Sequence, residues 1–309
     1  MDSFIIALET ILPLFLVIFA GILFSRTKAA SQNWIEILNK YALWIGFPAL
    51  VIVSLLHLEG EIKTYLPLIL INSGYIIVCL ILAYPISMLF RLSGTMKRSL
   101  FLILPFGNIA YLGIPVLHST FGEEILPVAA IISAVYVFWM LTLGLFLIEI
   151  HGKQEFNLKR LALSLAKNPL LISVFTGLII VSFQITLPAF LDKTLRLFSD
   201  SVTAVVLFSL GIFLGLQKLG NPREWLRVAV FVTITMIALP AIFFAAIRFS
   251  PLPPDQIKST VLDATMPLGL TPYALSVQYK LETTLLARIV VLGTVFSMVS
   301  SPLWITFLG

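Results

Sequence analysis

Two short stretches hold the residues whose chemistry stands out from an otherwise apolar chain. The first is Asp263-Ala-Thr-Met-Pro-Leu-Gly-Leu-Thr-Pro-Tyr273, where a carboxylate, two threonines, a glycine and two prolines interrupt a segment apolar enough to span a membrane. Pro267 has no N–H for the carbonyl of Asp263 and its ring crowds that carbonyl, while the fixed φ of Pro272 suits the first turn of a new helix. A helix is therefore expected to stop near Met266 and restart near Leu270. The second stretch, Leu104-Pro-Phe-Gly-Asn-Ile-Ala-Tyr111, repeats Pro, Gly and Tyr in the register of Met266-Pro-Leu-Gly-Leu-Thr-Pro-Tyr273, with Pro115 as the expected restart residue after Gly113. In lipid, opened backbone survives only against other protein or a wet cavity. Matched interruptions in two halves of a chain point to the binding site of a secondary transporter.

Two broken helices that meet at their breaks aim four helix ends at one place. The N-terminal ends offer free N–H groups and positive dipole, worth about 0.3–1 kcal/mol each to an anion, and the C-terminal ends offer carbonyls to a cation. No lysine or arginine falls in the expected mid-membrane zone. An anionic substrate would then rest on backbone N–H groups and on Asn108, Thr271, Tyr111 and Tyr273, with Pro105, Gly107, Pro267, Gly269 and Pro272 shaping the crossing. Asp263, one turn before Pro267, is the candidate for binding an accompanying H+ or Na+, with Thr265 and Asn72 beside it, since ionisable groups at such depth are functional by default. The competing readings are structural. Asp263 could be a wet helix-end carboxylate paired with Arg248 or Lys258, Asn108 a helix cap, Asn72 an interhelical hydrogen bond, and the two tyrosines packing residues.

The elements that must position these groups follow from composition. The chain has 309 residues, 59% hydrophobic and 11% charged, with mean hydropathy +1.05, which describes an all-α integral membrane protein rather than a soluble one. Apolar runs near the length needed to cross a bilayer fall at 5–24, 34–56, 65–90, 99–120, 125–150, 167–184, 195–216, 225–249, 257–279 and 285–308, giving ten expected spans. The N-terminus carries no basic stretch or small-residue cleavage site, so the first run reads as a retained span. Of the 20 lysines and arginines, only Lys63, Lys193, Arg196, Arg248 and Lys258 fall on one side of this topology. The positive-inside rule then puts both termini outside the cell's inner membrane.

Five spans per half imply that the halves enter from opposite faces. Pro13-Leu14 with Phe19 and Gly21 recurs as Pro169-Leu170 with Phe175 and Gly177, and the matched breaks supply a second point of similarity. The expected organisation is a five-plus-five inverted repeat, 1–150 and 166–309, joined by a cytoplasmic linker over 151–165.

At these residues the chain resembles the auxin efflux carrier family, the plant PIN-type carriers and their bacterial and archaeal relatives. Asn108-Ile-Ala-Tyr-Leu-Gly-Ile-Pro115 resembles the family's motif of Asn before Gly-x-Pro, Phe208-Ser-Leu-Gly-Ile-Phe-Leu-Gly-Leu-Gln217 its seventh span, Met266 to Tyr273 its ninth, and Asn168-Pro169 the opening of its sixth. The resemblance implies crossed broken helices of the bile-acid carrier and sodium–proton antiporter type. It implies a scaffold domain of spans 1, 2, 6 and 7, and a transport domain of spans 3–5 and 8–10 moving in an elevator-like way. It also implies a homodimer that exports or exchanges organic anions, auxin-like or dicarboxylates such as malate and malonate, with Asn108 as the carboxylate contact. Where the plant-type third span carries Asp and Lys one turn apart, this chain has Asn72 and Ile76, which leaves Asp263 as the candidate replacement.

Other classes fit poorly. His57, His118 and His151 lie far apart without acidic or cysteine partners, so no metal site or other cofactor is expected; no phosphate loop, catalytic triad or basic stripe for nucleic acid is present. The single Cys79 allows no internal disulfide. The rivals are a sodium-coupled bile-acid-type symporter, a cation/proton antiporter, which would want adjacent acidic residues, a channel, and a membrane sensor lacking its output domain. Trp34, Trp225 and Trp304 are expected at the lipid interface, Trp44 and Trp139 inside, and Glu9, Glu149 and Asp200 in water near span ends.

Overall fold

The computed structural model describes residues 2–56, 58, 62–152, 157–217 and 224–309. His57 and part of the expected linker, 153–156, lie outside the described residues. In chain order the α-helices are α1 (Asp2–Phe24), α2 (Gln32–Tyr41), α3 (Phe47–Leu56), α4 (Leu66–Leu89), α5 (Gly94–Ile103), α6 (Ile114–Phe121), α7 (Leu126–Trp139), α8 (Leu145–His151), α9 (Leu158–Ala166), α10 (Pro169–Ser182), α11 (Ala189–Leu216), α12 (Trp225–Thr233), α13 (Leu239–Ile247), α14 (Pro254–Ala264), α15 (Leu270–Gln278) and α16 (Thr283–Leu308). The expected linker is partly ordered as α9.

Among the described residues, seven continuous helices are long and apolar enough to cross a membrane: Ser3–Phe24, Gln32–Leu56, Lys63–Leu89, Glu123–His151, Ala189–Leu216, Trp225–Ile247 and Thr283–Leu308. The other expected spans are shorter pieces: α5 and α6 for the fourth, α10 for the sixth, α14 and α15 for the ninth. Helix starts follow local chemistry. Ser93 Oγ accepts from Met96 N at 3.2 Å to cap α5, and Asn168 Oδ1 accepts from Leu170 N at 3.0 Å and Leu171 N at 3.2 Å ahead of Pro169, satisfying N–H groups that a helix start leaves free.

Proline acts in a second way that pattern reading does not show. Three wide π turns, Ala42–Gly46, Ile109–Gly113 and Ile234–Ala238, each end two residues before a proline: Pro48, Pro115 and Pro240. The residue four positions before each proline, whose carbonyl its ring would strike, lies inside the turn. Widening that turn keeps the chain helical where a break would expose backbone to lipid. A fourth π turn, Met140–Gly144, joins α7 to α8.

The helices pack into one connected bundle, with α1 lying against α16, and both α3 and α10 against α7. α1 packs on α11 and α10 on α3, with α11 also against α2 and α3; α4 packs on α7, and α12 on α16. At the α1–α11 seam the backbones touch. A Cβ added to Gly211 would lie 2.0 Å from Ile18 O, one on Gly21 2.3 Å from Phe208 O, and one on Gly215 2.0 Å from Ser25 Oγ. Gly21 on α1 and Ser25 just past its end thus mesh with Gly211 and Gly215 on α11, the four-residue spacing of small residues that lets membrane helices approach closely.

The tryptophans correct the sequence reading. Trp304 is buried and its indole Nε1 donates to Met236 O at 3.1 Å, whereas Trp44 is 60% exposed on the outer face of the helices. Hydropathy locates a helix in the membrane but not which of its faces meets lipid. Glu149 is corrected too: it is 4% exposed, and Tyr279 donates to its Oε1 at 2.9 Å. Arg98 closes this knot, its guanidinium donating to Ile148 O at 3.0 Å and Tyr279 O at 3.4 Å. The carboxylate is hydrogen-bonded, as a buried charge requires, and α5, α8 and the end of α15 are tied together.

Candidate functional site

The two breaks meet backbone to backbone. α14 ends at Ala264, with Thr265 N bonded back to Val261 O and Leu262 O at 3.2 and 3.1 Å, and Met266 N to Asp263 O at 3.1 Å. Beyond it Leu268 pairs with Gly107 in an isolated antiparallel bridge, and Asn108 N donates to Pro267 O at 2.6 Å. Each opened strand therefore satisfies part of the other's backbone. On the far side the chain restarts as α15 at Leu270, as expected. In the first copy it restarts as the π turn at Ile109, earlier than the expected Gly113. Asn108 O accepts from both Leu112 N and Gly113 N at 3.0 Å.

Around this crossing lie two small cavities. One, of about 10 Å³, is lined by Tyr75, Pro105, Gly107, Tyr136, Thr235 and Asp263, together with the backbones flanking both breaks. Asp263 is fully buried, and neither carboxyl oxygen has a hydrogen-bond partner among the described residues. The wet, paired reading of this residue fails: Lys258 instead reaches Gly309 O. The other cavity, of about 50 Å³, is lined by Gly107, Asn108, Tyr111, Ser133, Tyr136, Gly269, Thr271 and Pro272. Asn108 Nδ2, Ser133 Oγ and Tyr136 OH are buried there without a partner among the described residues. Unmatched buried polar atoms are uncommon, and five of the twelve among the described residues line these two cavities.

The remaining expected residues divide. Asn72 makes the interhelical bond, its Nδ2 donating to Thr260 Oγ1 on α14 at 3.2 Å and to Leu68 O at 2.9 Å, while its Oδ1 stays unpartnered among the described residues. Thr265 turns its hydroxyl back to Leu262 O at 2.7 Å, and Pro267 packs against Gly293. Tyr111 and Tyr273, matched in sequence, also match in packing. The Tyr111 ring stands edge-on to Phe47 at 5.2 Å and the Tyr273 ring edge-on to Phe213 at 4.9 Å. Tyr273 does not reach the Asn108 cavity. It lines a separate one of about 300 Å³ with Gln217, Trp225, Thr283 and Arg288.

Sequence reading missed Ser133 and Tyr136, because the fifth span runs uninterrupted. The available signal was their i, i+3 spacing, which sets two hydroxyls on one helix face. It also missed the role of Gly113, where an added Cβ would lie 2.3 Å from Asp263 Oδ1. Gly113→Ala is expected to cost about 1–3 kcal/mol of stability, and less in an Asp263→Ala background where the clashing atom is gone. Equal losses in both backgrounds, measured by thermal unfolding in detergent, would show that the glycine does not make room for the carboxylate.

A many-helix apolar chain with two interrupted helices joined at their breaks is a multi-pass membrane protein built as a transporter. Residues 6–305 match the family model described as membrane transport protein, and the chain belongs to that family, the auxin efflux carrier family. It is 25% identical over 305 residues to an archaeal protein of Methanocaldococcus jannaschii named uncharacterized transporter MJ1031, covering 97% of this chain and 98% of the relative. It is 23% identical over 303 residues to the uncharacterized transporter YfdV of Escherichia coli, covering 96% and 95%. Auxin efflux carrier component 6 of Arabidopsis thaliana is 28% identical over 171 residues, 51% of this chain and 30% of the plant protein. The names are those of transporters, not enzymes.

Proposed function

We propose that the protein is a secondary transporter of small organic carboxylates, holding the anion at the Asn108 cavity and a cation, H+ or Na+, at Asp263. The observation that carries this is the buried Asn108 Nδ2, without a partner among the described residues, lining a cavity at the junction of two broken helices. An amide N–H so placed lacks an acceptor, and a carboxylate supplies one. Charge balance favours a cation beside the anion: a lone carboxylate at Asp263 is costly to bury, and a bound cation neutralises it. That same feature supports the sodium-coupled symporter as the second reading, with thermal stabilisation by Na+ in place of H+ as its mark.

The full arrangement belongs to this proposal: ten spans in a five-plus-five inverted repeat, both termini outside the inner membrane, and a homodimer. The pairing of α1 with α11 and of α10 with α3, the corresponding pairings of α4 with α7 and α12 with α16, and the like packing of Tyr111 and Tyr273 support the repeat. On this reading spans 1, 2, 6 and 7 form a scaffold past which the rest carries the site by an elevator-like motion. Asn108→Ala is expected to weaken malonate binding roughly tenfold or more, the worth of a hydrogen bond to a charged group, with the thermal midpoint of the unliganded protein unchanged. Unaltered affinity in a calorimetric titration would remove Asn108 from the site.

A further inference from the structure

Tyr136 is the one polar side chain that lines both cavities. It sits on α7, is 4% exposed, and its hydroxyl has no partner among the described residues. A phenol carries a single O–H to donate. On one side the available acceptor is the Asp263 carboxylate; on the other it is whatever anion enters the Asn108 cavity. We infer that Tyr136 couples the two sites by donating its one hydrogen bond to either of two competing acceptors, Asp263 or the bound carboxylate. When Asp263 carries no cation, its charge draws the hydroxyl and the anion loses a donor. Once a cation neutralises Asp263, the hydroxyl is free to turn to the anion. Cation and anion then favour each other's binding, and the linkage is reciprocal. This rests on the carboxylate reading of the larger cavity.

Few other groups compete for the role. The titratable side chains lining the Asp263 cavity are Tyr75 and Tyr136, with Cys79 one turn from Tyr75 on α4. On the remaining elements packed against α14, Tyr111 faces the larger cavity, and the charged or ionisable groups stand toward helix ends: exposed His118 on α6, Arg248 after α13, Arg288 on α16, and Asp255 and Lys258 near the start of α14 itself.

The test is calorimetric titration of the purified full chain with malonate and with malate, with and without Na+, at two pH values. The wild type is expected to bind one of these anions about tenfold tighter when the cation is present, the scale of one charged hydrogen bond. Tyr136→Phe is expected to bind about tenfold weaker than the cation-loaded wild type, with a response to Na+ or pH reduced to the part that direct charge balance between the two sites leaves. Since the substitution deletes a hydroxyl without a partner, the variant's thermal midpoint serves as the check that it folds. Asp263→Asn is expected to bind like the cation-loaded wild type in every condition. A Tyr136→Phe protein that keeps the full wild-type cation response overturns the inference, as does a wild type that binds an anion with no cation response; in both cases the transporter reading stands. A wild type that binds neither anion in any condition overturns the carboxylate reading and this inference with it. Response to Na+ at fixed pH, or to pH without Na+, identifies the cation.

Discussion

Asp263→Asn is expected to abolish any dependence of anion transport on Na+ and pH, and to raise the thermal midpoint of the protein in cation-free buffer. Both effects come from one fact: the carboxyl group is fully buried with no donor to either oxygen among the described residues. In water a carboxylate is solvated, and inside protein an unpaired one is among the most expensive groups to bury. The amide has nearly the same shape and no charge, so it removes that cost without opening a cavity. A gain on the order of 2–4 °C corresponds to about 1 kcal/mol in a protein of a few hundred residues. Function should move the opposite way, since a neutral side chain has nothing to exchange with a cation. Uptake of labelled malonate into proteoliposomes, with imposed Na+ or pH gradients, reads the first effect. A variant that still follows those gradients would take Asp263 out of the coupling.

The second large effect is structural. Gly211→Leu is expected to prevent α1 and α11 from packing, at a cost of about 3 kcal/mol or more, and to be seen as loss of folded protein after extraction into detergent. A Cβ there would lie 2.0 Å from a main-chain oxygen, Ile18 O, and 2.9 Å from the Cα of Gly21. No rotamer change relieves a clash with backbone; the helices must part, and in a membrane close packing is what holds such helices together. Gly74, in the middle of α4 with nothing within 4 Å of an added Cβ, is the control. Gly74→Ala is expected to be neutral or mildly stabilising, because alanine is the better helix former. If the two glycines behave alike, the seam does not depend on small residues.

The crossing was legible in the sequence because proline acts locally. Pro105 and Pro267 leave marks in the chain itself, and their matched registers implied that both helices open. The structure adds that the opened strands bond to each other. Faces were not legible. Trp304 and Trp44 exchange their expected places, and Glu149 goes inside, because one-dimensional hydropathy measures how apolar a segment is but not its rotation about its own axis. Ser133 and Tyr136 were passed over for the same reason: two hydroxyls in an unbroken apolar helix give no local sign of facing a neighbour's break. The wide turns before Pro48, Pro115 and Pro240 were hidden because a proline reads as a stop, while the chain's answer is to loosen one turn and continue.

The bond from Asn108 N to Pro267 O has a mechanical meaning. Far from bulk water no solvent molecule can take over a severed main-chain partner, so prising the two strands apart would cost several kcal/mol. The splice therefore fixes the Asn108-lined cavity and the Asp263-lined cavity to a common frame. On the carrier mechanism proposed above, access to the two cavities would change by moving that frame against its surroundings, as a drawer slides in a cabinet, and not by unfastening its joint.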